Sequence, residues 1–231
     1  MDKIHFIPES SLGHAETWLF DLDNTLYPAV DNLFVQVSER IRDFIANHLN
    51  MNKEAAYRLQ KEYFHEYGTS LRGLMMRHKV DPKPYLDYVH DIDLSVIAPN
   101  PRLDAALAGL DGTKLIFTNA STDHAVRILD RLGVRRHFDG IFDICDADYV
   151  PKPEPGPYDT VIDHYGLRPE KTVMVDDIAR NLLPAAERGM TTVWLRNETE
   201  WGQTGAADGN IHHIADDLLA WLEHVSSIRT H

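Results

Sequence analysis

The sequence predicts an α/β fold: a parallel sheet core whose first strand is followed by a helical insertion. Three observations predict it. Short apolar runs ending in polar residues recur along the chain and alternate with helix-spaced patterns. That alternation is the mark of a parallel sheet covered on both faces. One stretch, about residues 28–99, carries helix-like segments and no convincing strand. The 231 residues, 43% hydrophobic and 26% charged, have globular composition and length for one domain with an insertion, or for two domains.

The elements follow in order. TWLFDL at 17–22 is an apolar run that stops abruptly at DNT, as a buried strand opening into a loop does. Helical segments are expected at 29–49, 53–67, 70–79 and 82–90. Pro28 suits a first helical turn, Gly68 a helix end, and Asp81-Pro82 another start. The segment PNP at 99–101 punctuates the return to the sheet. Further strands are expected in KLIFTN at 114–119, DGIFDI at 139–144, KTVMVDD at 171–177 and MTTVWL at 190–195. Between the first two of these, Ala125, Ile128, Leu129 and Leu132 share one helical face, with Ser121 or Thr122 to cap it and Gly133 to end it. Leu218, Leu219 and Leu222 suit the buried face of a terminal helix.

Charge excludes some partners. With 36 acidic against 23 basic residues the net charge is −13, which argues against coating a nucleic acid polymer or an anionic membrane. A locally positive pocket for a small phosphorylated substrate stays open. The single Cys145 excludes an intramolecular disulfide or a multi-cysteine zinc site, and is expected to be a buried small residue. No apolar run approaches a membrane span, and the start MDKIHFIPES lacks a signal peptide's apolar stretch. A cytoplasmic protein is expected; the sequence leaves its oligomeric state open.

Chemistry is carried by four short pieces. Asp21, Asp23 and Thr25 follow the first strand, on the side where open α/β sheets bind ligands. Two carboxylates about 4 Å apart repel by roughly 4 kcal/mol at an effective dielectric near 20, and a divalent cation or a proton relieves that. Read alone, the cluster is equally an acidic loop capping the next helix. Asp176 and Asp177 end another apolar run, with Asn181 four residues beyond Asp177; a helix starting here would place that pair on one face. Two acidic strand ends in one sheet make an oxygen-ligand site, with magnesium first. Thr118 and Asn119 end a strand before a helix, where hydroxyl and N–H groups hold a phosphate. Lys152 sits in YVPKPEPGPY, where four prolines restrict the backbone around one ammonium.

In this order, DLDNT, TN, K within PKPEP, and VDDIARN resemble the haloacid-dehalogenase-like hydrolase superfamily over residues 17–195. FDLDNTLYP, YGTSLRGL, FTNAS and VDDIARN look more narrowly like its pyrimidine 5'-nucleotidase branch. The resemblance implies a Rossmann-like core at 1–27 and 100–231, with an inserted helical cap domain at 28–99 that excludes water. It implies Asp21 as nucleophile, forming an aspartyl-phosphate, and Asp23 as general acid and then base. Magnesium would be held by Asp21, the backbone carbonyl of Asp23 and Asp177, with Asp176 as a further or outer ligand. Thr118, Asn119 and Lys152 would hold the phosphoryl oxygens, while Thr25 supports the loop. Many superfamily members carry an acid where this chain has Asn181, a difference of tuning. The presence of Asp23 disfavours the dehalogenase reaction.

The function expected is a magnesium-dependent phosphomonoesterase for small phosphorylated metabolites, nucleoside 5'-monophosphates first. A phosphatase of sugar phosphates or phosphoglycolate is the alternative, and a phosphoacceptor signalling module the non-enzymatic one. Specificity is expected in the cap segment YGTSLRGL at 67–74, where Gly68 and Gly73 punctuate polar residues, with Tyr67 and Arg72 meeting the leaving group. The thirteen scattered histidines are expected to be ordinary, and His212-His213 are not ligand-spaced. Asn197-Glu198-Thr199 is read as a loop, and Trp201-Gly202 as a loop without a task.

Overall fold

The computed structural model describes residues 9–28, 33–207 and 209–229. The apolar runs become β1 (Thr17–Phe20), β2 (Thr113–Phe117), β3 (Gly140–Phe142), β4 (Thr172–Asp176), β5 (Thr191–Leu195) and β6 (His213–Ala215). They form one parallel sheet in the order β3-β2-β1-β4-β5-β6. Alternation along each strand serves two faces. Trp18 and Phe20 point into one core with Ile116, Val173 and Val193. Leu19, Leu115, Phe117 and Met174 point into the other. The strand order reverses between β1 and β4, and at such a switch point the strand ends leave a crevice.

The insertion folds as α1 (Leu33–His48), α2 (Lys53–Tyr67), α3 (Ser70–His78) and α4 (Pro82–Val89). These helices enclose a hydrophobic cluster of their own around Ile45, Tyr63, Leu74 and Tyr85. Caps set their limits: Asn52 accepts from Ala55 N–H, Thr69 from Arg72 N–H and Asp81 from Lys83 N–H. Among the described residues the first helix starts at Leu33 and leaves Pro28 outside it; 29–32 lie outside the description. Gly68 ends α2 at φ +81°, as expected. Gly73 does not punctuate. It lies inside α3, where a Cβ would run into the Tyr63 ring of α2.

The remaining helices are α5 (Pro101–Ala108), α6 (Thr122–Leu132), α7 (Pro155–Tyr165), α8 (Leu183–Glu187), α9 (Glu200–Gln203) and α10 (Leu218–Arg229). Ser121 caps α6 and Gly133 ends it at φ +76°. The proline-rich stretch, read as a restricted loop, turns into α7 at Pro155. Prolines in a first turn cost nothing there, because those N–H groups lack helical partners anyway. Cys145 is exposed rather than buried: Asp143 accepts its backbone N–H in the turn after β3, which carries the side chain outward.

Candidate active site

Asp21 leaves the end of β1 with its N–H still bonded to Val175 O at 2.9 Å, so the sheet holds its backbone. Asp176 ends β4 and Asp177 follows it, which brings three carboxylates together across the switch point. Oxygens of Asp21, Asp176 and Asp177 all lie within 4.8 Å of one another, and all three residues are buried. Lys152 reaches into this cluster from its proline-rich loop. Its ammonium donates to Asp21 Oδ1 at 2.8 Å, Asp176 Oδ2 at 2.7 Å and Phe117 O at 2.8 Å, and it is 1% exposed. It is therefore no solvated loop lysine. Burial alone would lower its pKa, but Asp176 and Asp21 outweigh burial and raise it, which favours the charged ammonium.

The carboxylates differ in their surroundings. Burial pushes Asp177 well above the ordinary carboxylate range, and the charges of Asp21 and Asp176 add to that. Burial raises Asp21 too, against the opposing pull of Lys152. Asp176 is saturated instead: beside Lys152 it accepts from Ile178 N–H at 2.9 Å and from Asn181 Nδ2 at 3.0 and 3.2 Å. The expected pairing of Asn181 with Asp177 is thus corrected. A 3-10 turn at Ala179–Leu182 replaces the α-helical first turn and aims Asn181 at Asp176. Asp177 has its backbone carbonyl anchored by Trp194 Nε1 at 3.0 Å and Asn197 Nδ2 at 2.8 Å, while no described residue hydrogen-bonds its carboxylate.

Asp23 differs again. Burial would raise it, but His124 and the Tyr27 hydroxyl outweigh burial and hold it at about 2. Thr118 is buried and its Oγ1 accepts from Ala120 N–H, which shapes the loop after β2. The side chain of Asn119 is already engaged: Oδ1 accepts from Lys152 N–H at 2.8 Å and Nδ2 donates to Lys152 O at 3.2 Å. In this structure that side chain holds the Lys152 loop. Thr25 lies buried, and its Oγ1 has no hydrogen-bond partner among the described residues.

These groups face a cavity of about 450 Å³ between the sheet's carboxyl edge and the helical insertion. Asp21, Asp23, Thr118, Asn119, Lys152 and Asp177 line its floor, while Asp176 does not. Tyr57, Lys61 and Phe64 of α2 form its upper wall with Arg180 and Trp201. The Lys61 ammonium lies 5.2 Å from the Tyr57 ring and 5.5 Å from the Trp201 ring, and the Arg180 guanidinium 5.0 Å from the Phe64 ring. Tyr67 and Arg72, expected to meet the leaving group, line no part of it. Tyr67 packs edge-on against Tyr63, and Thr69 spends its hydroxyl capping α3 at Arg72 N–H. Trp201, left without a task, sits in α9 and faces the cavity.

Sequence reasoning also missed Tyr27 and His124. For His124 a signal existed: its spacing to Ile128 and Leu132 puts it on the buried face of α6. The donor set suits a hard cation. It is all oxygen, and among the described residues no hydrogen bond reaches the Asp177 carboxylate or the second carboxylate oxygen of Asp21.

The family model described as haloacid dehalogenase-like hydrolase matches residues 16–189. "Phosphate metabolism protein 8" of Saccharomyces cerevisiae is 29% identical over 194 residues, covering 76% of this chain and 60% of that protein. The chain thus spans less than two thirds of the yeast relative. "Glyceraldehyde 3-phosphate phosphatase" of Methanocaldococcus jannaschii is 29% identical over 189 residues, covering 76% of this chain and 82% of that protein. Among solved structures, L-2-haloacid dehalogenase from Xanthobacter autotrophicus superposes with a TM-score of 0.58 at 17% identity, covering 91% of this chain and 98% of that one. A HAD phosphatase from Thermococcus onnurineus gives 0.59 at 18% identity, with 91% and 97% covered. At such identity the structural likeness carries the fold alone. Among the described residues no helix is long and apolar enough to cross a membrane.

Proposed function

The chain belongs to the haloacid dehalogenase-like hydrolase family, and from that premise we propose that it is a magnesium-dependent phosphomonoesterase. The observation that carries this reading is the buried floor of the cavity, where Asp21, Asp23, Asp177 and Lys152 meet. A signalling phosphoacceptor has no use for a cavity of about 450 Å³ walled by aromatic rings above that floor. The names of the yeast and archaeal relatives, both concerned with phosphate, point the same way.

In the proposed reaction a carboxylate oxygen of Asp21 attacks phosphorus as the ester P–O bond breaks. The leaving oxygen keeps that electron pair and takes a proton from Asp23. Water then attacks the aspartyl-phosphate, gives its proton to Asp23 and returns the electron pair to Asp21. The entering phosphate dianion and the loss of water around it raise the proton affinity of Asp23 from its low value in the free site. Asp21, Asp177 and the Asp23 carbonyl would hold Mg²⁺, whose charge would offset that of the phosphoryl oxygens. We assign Asp176, saturated by Lys152 and Asn181, to holding Lys152 in place. Thr118, Asn119 and Lys152 line the floor on which the phosphoryl group would rest. We take residues 28–99 as the cap and residues 1–27 with 100–231 as the core, the division expected from the sequence.

The leaving group would lie against Tyr57, Phe64 and Trp201. Flat aromatic walls with Lys61 and Arg180 between them support a planar, polar leaving group, hence nucleoside 5'-monophosphates first. Sugar phosphates are the second reading, favoured by the name of the archaeal relative. The test is inorganic phosphate release from nucleotides, sugar phosphates, phosphoglycolate and para-nitrophenyl phosphate. Steady turnover with magnesium is expected, abolished by chelation and restored better by magnesium than by calcium, whose looser shell misplaces the nucleophile. A single stoichiometric phosphorylation without turnover would make the protein a signalling module instead.

A further inference from the structure

Asp23 is gripped on one side only. Its Oδ1 accepts from the Tyr27 hydroxyl at 2.6 Å and lies 3.0 Å from His124 Nε2. Among the described residues no protein group hydrogen-bonds Oδ2, although Asp23 lines the cavity with its side chain 24% exposed. A carboxyl group turns easily about its last bond, so donors fixed in the fold decide which oxygen faces inward. Tyr27 supplies one donor from the loop after β1. His124 supplies the other from the first turn of α6, 101 residues away in the chain.

His124 is 1% exposed, and its other ring nitrogen, Nδ1, has no hydrogen-bond partner among the described residues. The contact with Asp23 is therefore the only hydrogen bond its ring makes among the described residues. A carboxylate accepts and does not donate, so Nε2 carries the hydrogen. The rest of this face of α6 is Ala125, Ile128, Leu129 and Leu132. An apolar residue at 124 would pack there without burying an unpaired nitrogen, so packing alone does not account for a histidine. The ring is also held in orientation. His90, at the end of α4, stacks on it with centroids 4.3 Å apart and planes 21° from parallel. His90 Nδ1 lies 3.0 Å from Ser121 Oγ, the hydroxyl that caps α6.

We propose that Tyr27 and His124 form a positioning clamp that pins Oδ1 of Asp23, so that Oδ2 is the atom exchanging protons with the leaving group and with water. This rests on the reading of Asp23 as the proton donor and acceptor. As the ester P–O bond breaks, its electron pair stays on the departing oxygen, which takes the proton from Oδ2. In the second half-reaction Oδ2 receives a proton from the attacking water. Without the clamp the carboxyl rotates, and proton delivery falls out of line with bond breaking.

The experiment is the ratio of kcat/KM for para-nitrophenyl phosphate to that for a simple alkyl phosphate. The nitrophenolate departs readily without a proton, whereas an alkoxide does not. The ratio is independent of how much of a variant is folded. His124→Leu and Tyr27→Phe are each expected to raise it at least about tenfold. His124→Gln, whose amide nitrogen offers a donor near the place of Nε2, is expected to bring it back toward wild type. Asp23→Asn is the reference. If it leaves the ratio unmoved, the reading of Asp23 as proton donor fails and takes the clamp with it. If Asp23→Asn raises the ratio while His124→Leu and Tyr27→Phe leave it at the wild-type value, the clamp is overturned and that reading stands.

Discussion

Lys152 spends all three ammonium hydrogens on protein acceptors, and one of them is the proposed nucleophile. Its charge holds the carboxylate cluster together in the free protein. Even so, burial and Asp176 keep Asp21 raised above an ordinary carboxylate. A carboxylate raised on folding costs stability where it is ionised, so neutralising it should not weaken the fold. Asp21→Asn is accordingly expected to melt, in the presence of a chelator, at or above the wild-type temperature. Its phosphate release should drop by more than about a thousandfold, because an amide is a poor nucleophile. Near-wild-type turnover by the pure variant would sink the covalent mechanism.

At the scale of elements, the helical insertion owes its shape to local signals and to one close approach. Asn52, Thr69 and Asp81 cap three of its helices as short polar residues do before an apolar pattern. The α2–α3 contact depends on Gly73, because Tyr63 occupies the space a side chain would need. Gly73→Ala should cost about 1–3 kcal/mol in denaturant unfolding, as overpacked cores do. A fall in urea midpoint with an unchanged slope is the expected record; no change would mean that Tyr63 moves aside freely. Gly68 has a second duty. A Cβ there would come within 3.0 Å of Pro151, so the bare backbone lets the cap touch the loop that carries Lys152.

At the scale of the whole molecule, we assign specificity to the space between cap and core, to which Gly68, Thr69, Ser70 and Leu71 of the 67–74 segment contribute while Tyr67 and Arg72 do not. Tyr57, Lys61 and Phe64 come from the insertion, Arg180 and Trp201 from the core, and together they line the room above the carboxylate floor. Arg180 Nε has no hydrogen-bond partner among the described residues. Arg180→Ala and Trp201→Ala are therefore expected to shift the kcat/KM ratio between a nucleoside 5'-monophosphate and para-nitrophenyl phosphate about tenfold or more. Arg72→Ala, outside the cavity, should leave that ratio where it is. A shift in Arg72→Ala with none in the other two would return specificity to the 67–74 segment.

Five strands, the cap helices α1–α4, and α6 with both its ends were legible in the sequence, because periodicity, caps and prolines act within a few residues. The same locality made Asp21, Thr118, Lys152, Asp176 and Asp177 stand out: each closes an apolar run or interrupts a restrained loop. The short edge strand β6 escaped, since three residues are too few to show a period. What tertiary structure alone decided is which side chain answers which. Asn119 holds the Lys152 backbone, Asn181 turns to Asp176 instead of Asp177, Trp201 reaches the cavity, and Tyr67 and Arg72 do not. His124 meets Asp23 across 101 residues of chain. Such contacts depend on the packing of elements distant in sequence. A residue's own neighbours carry its tendency to lie on a buried face, and only the assembled fold supplies the partner it meets there.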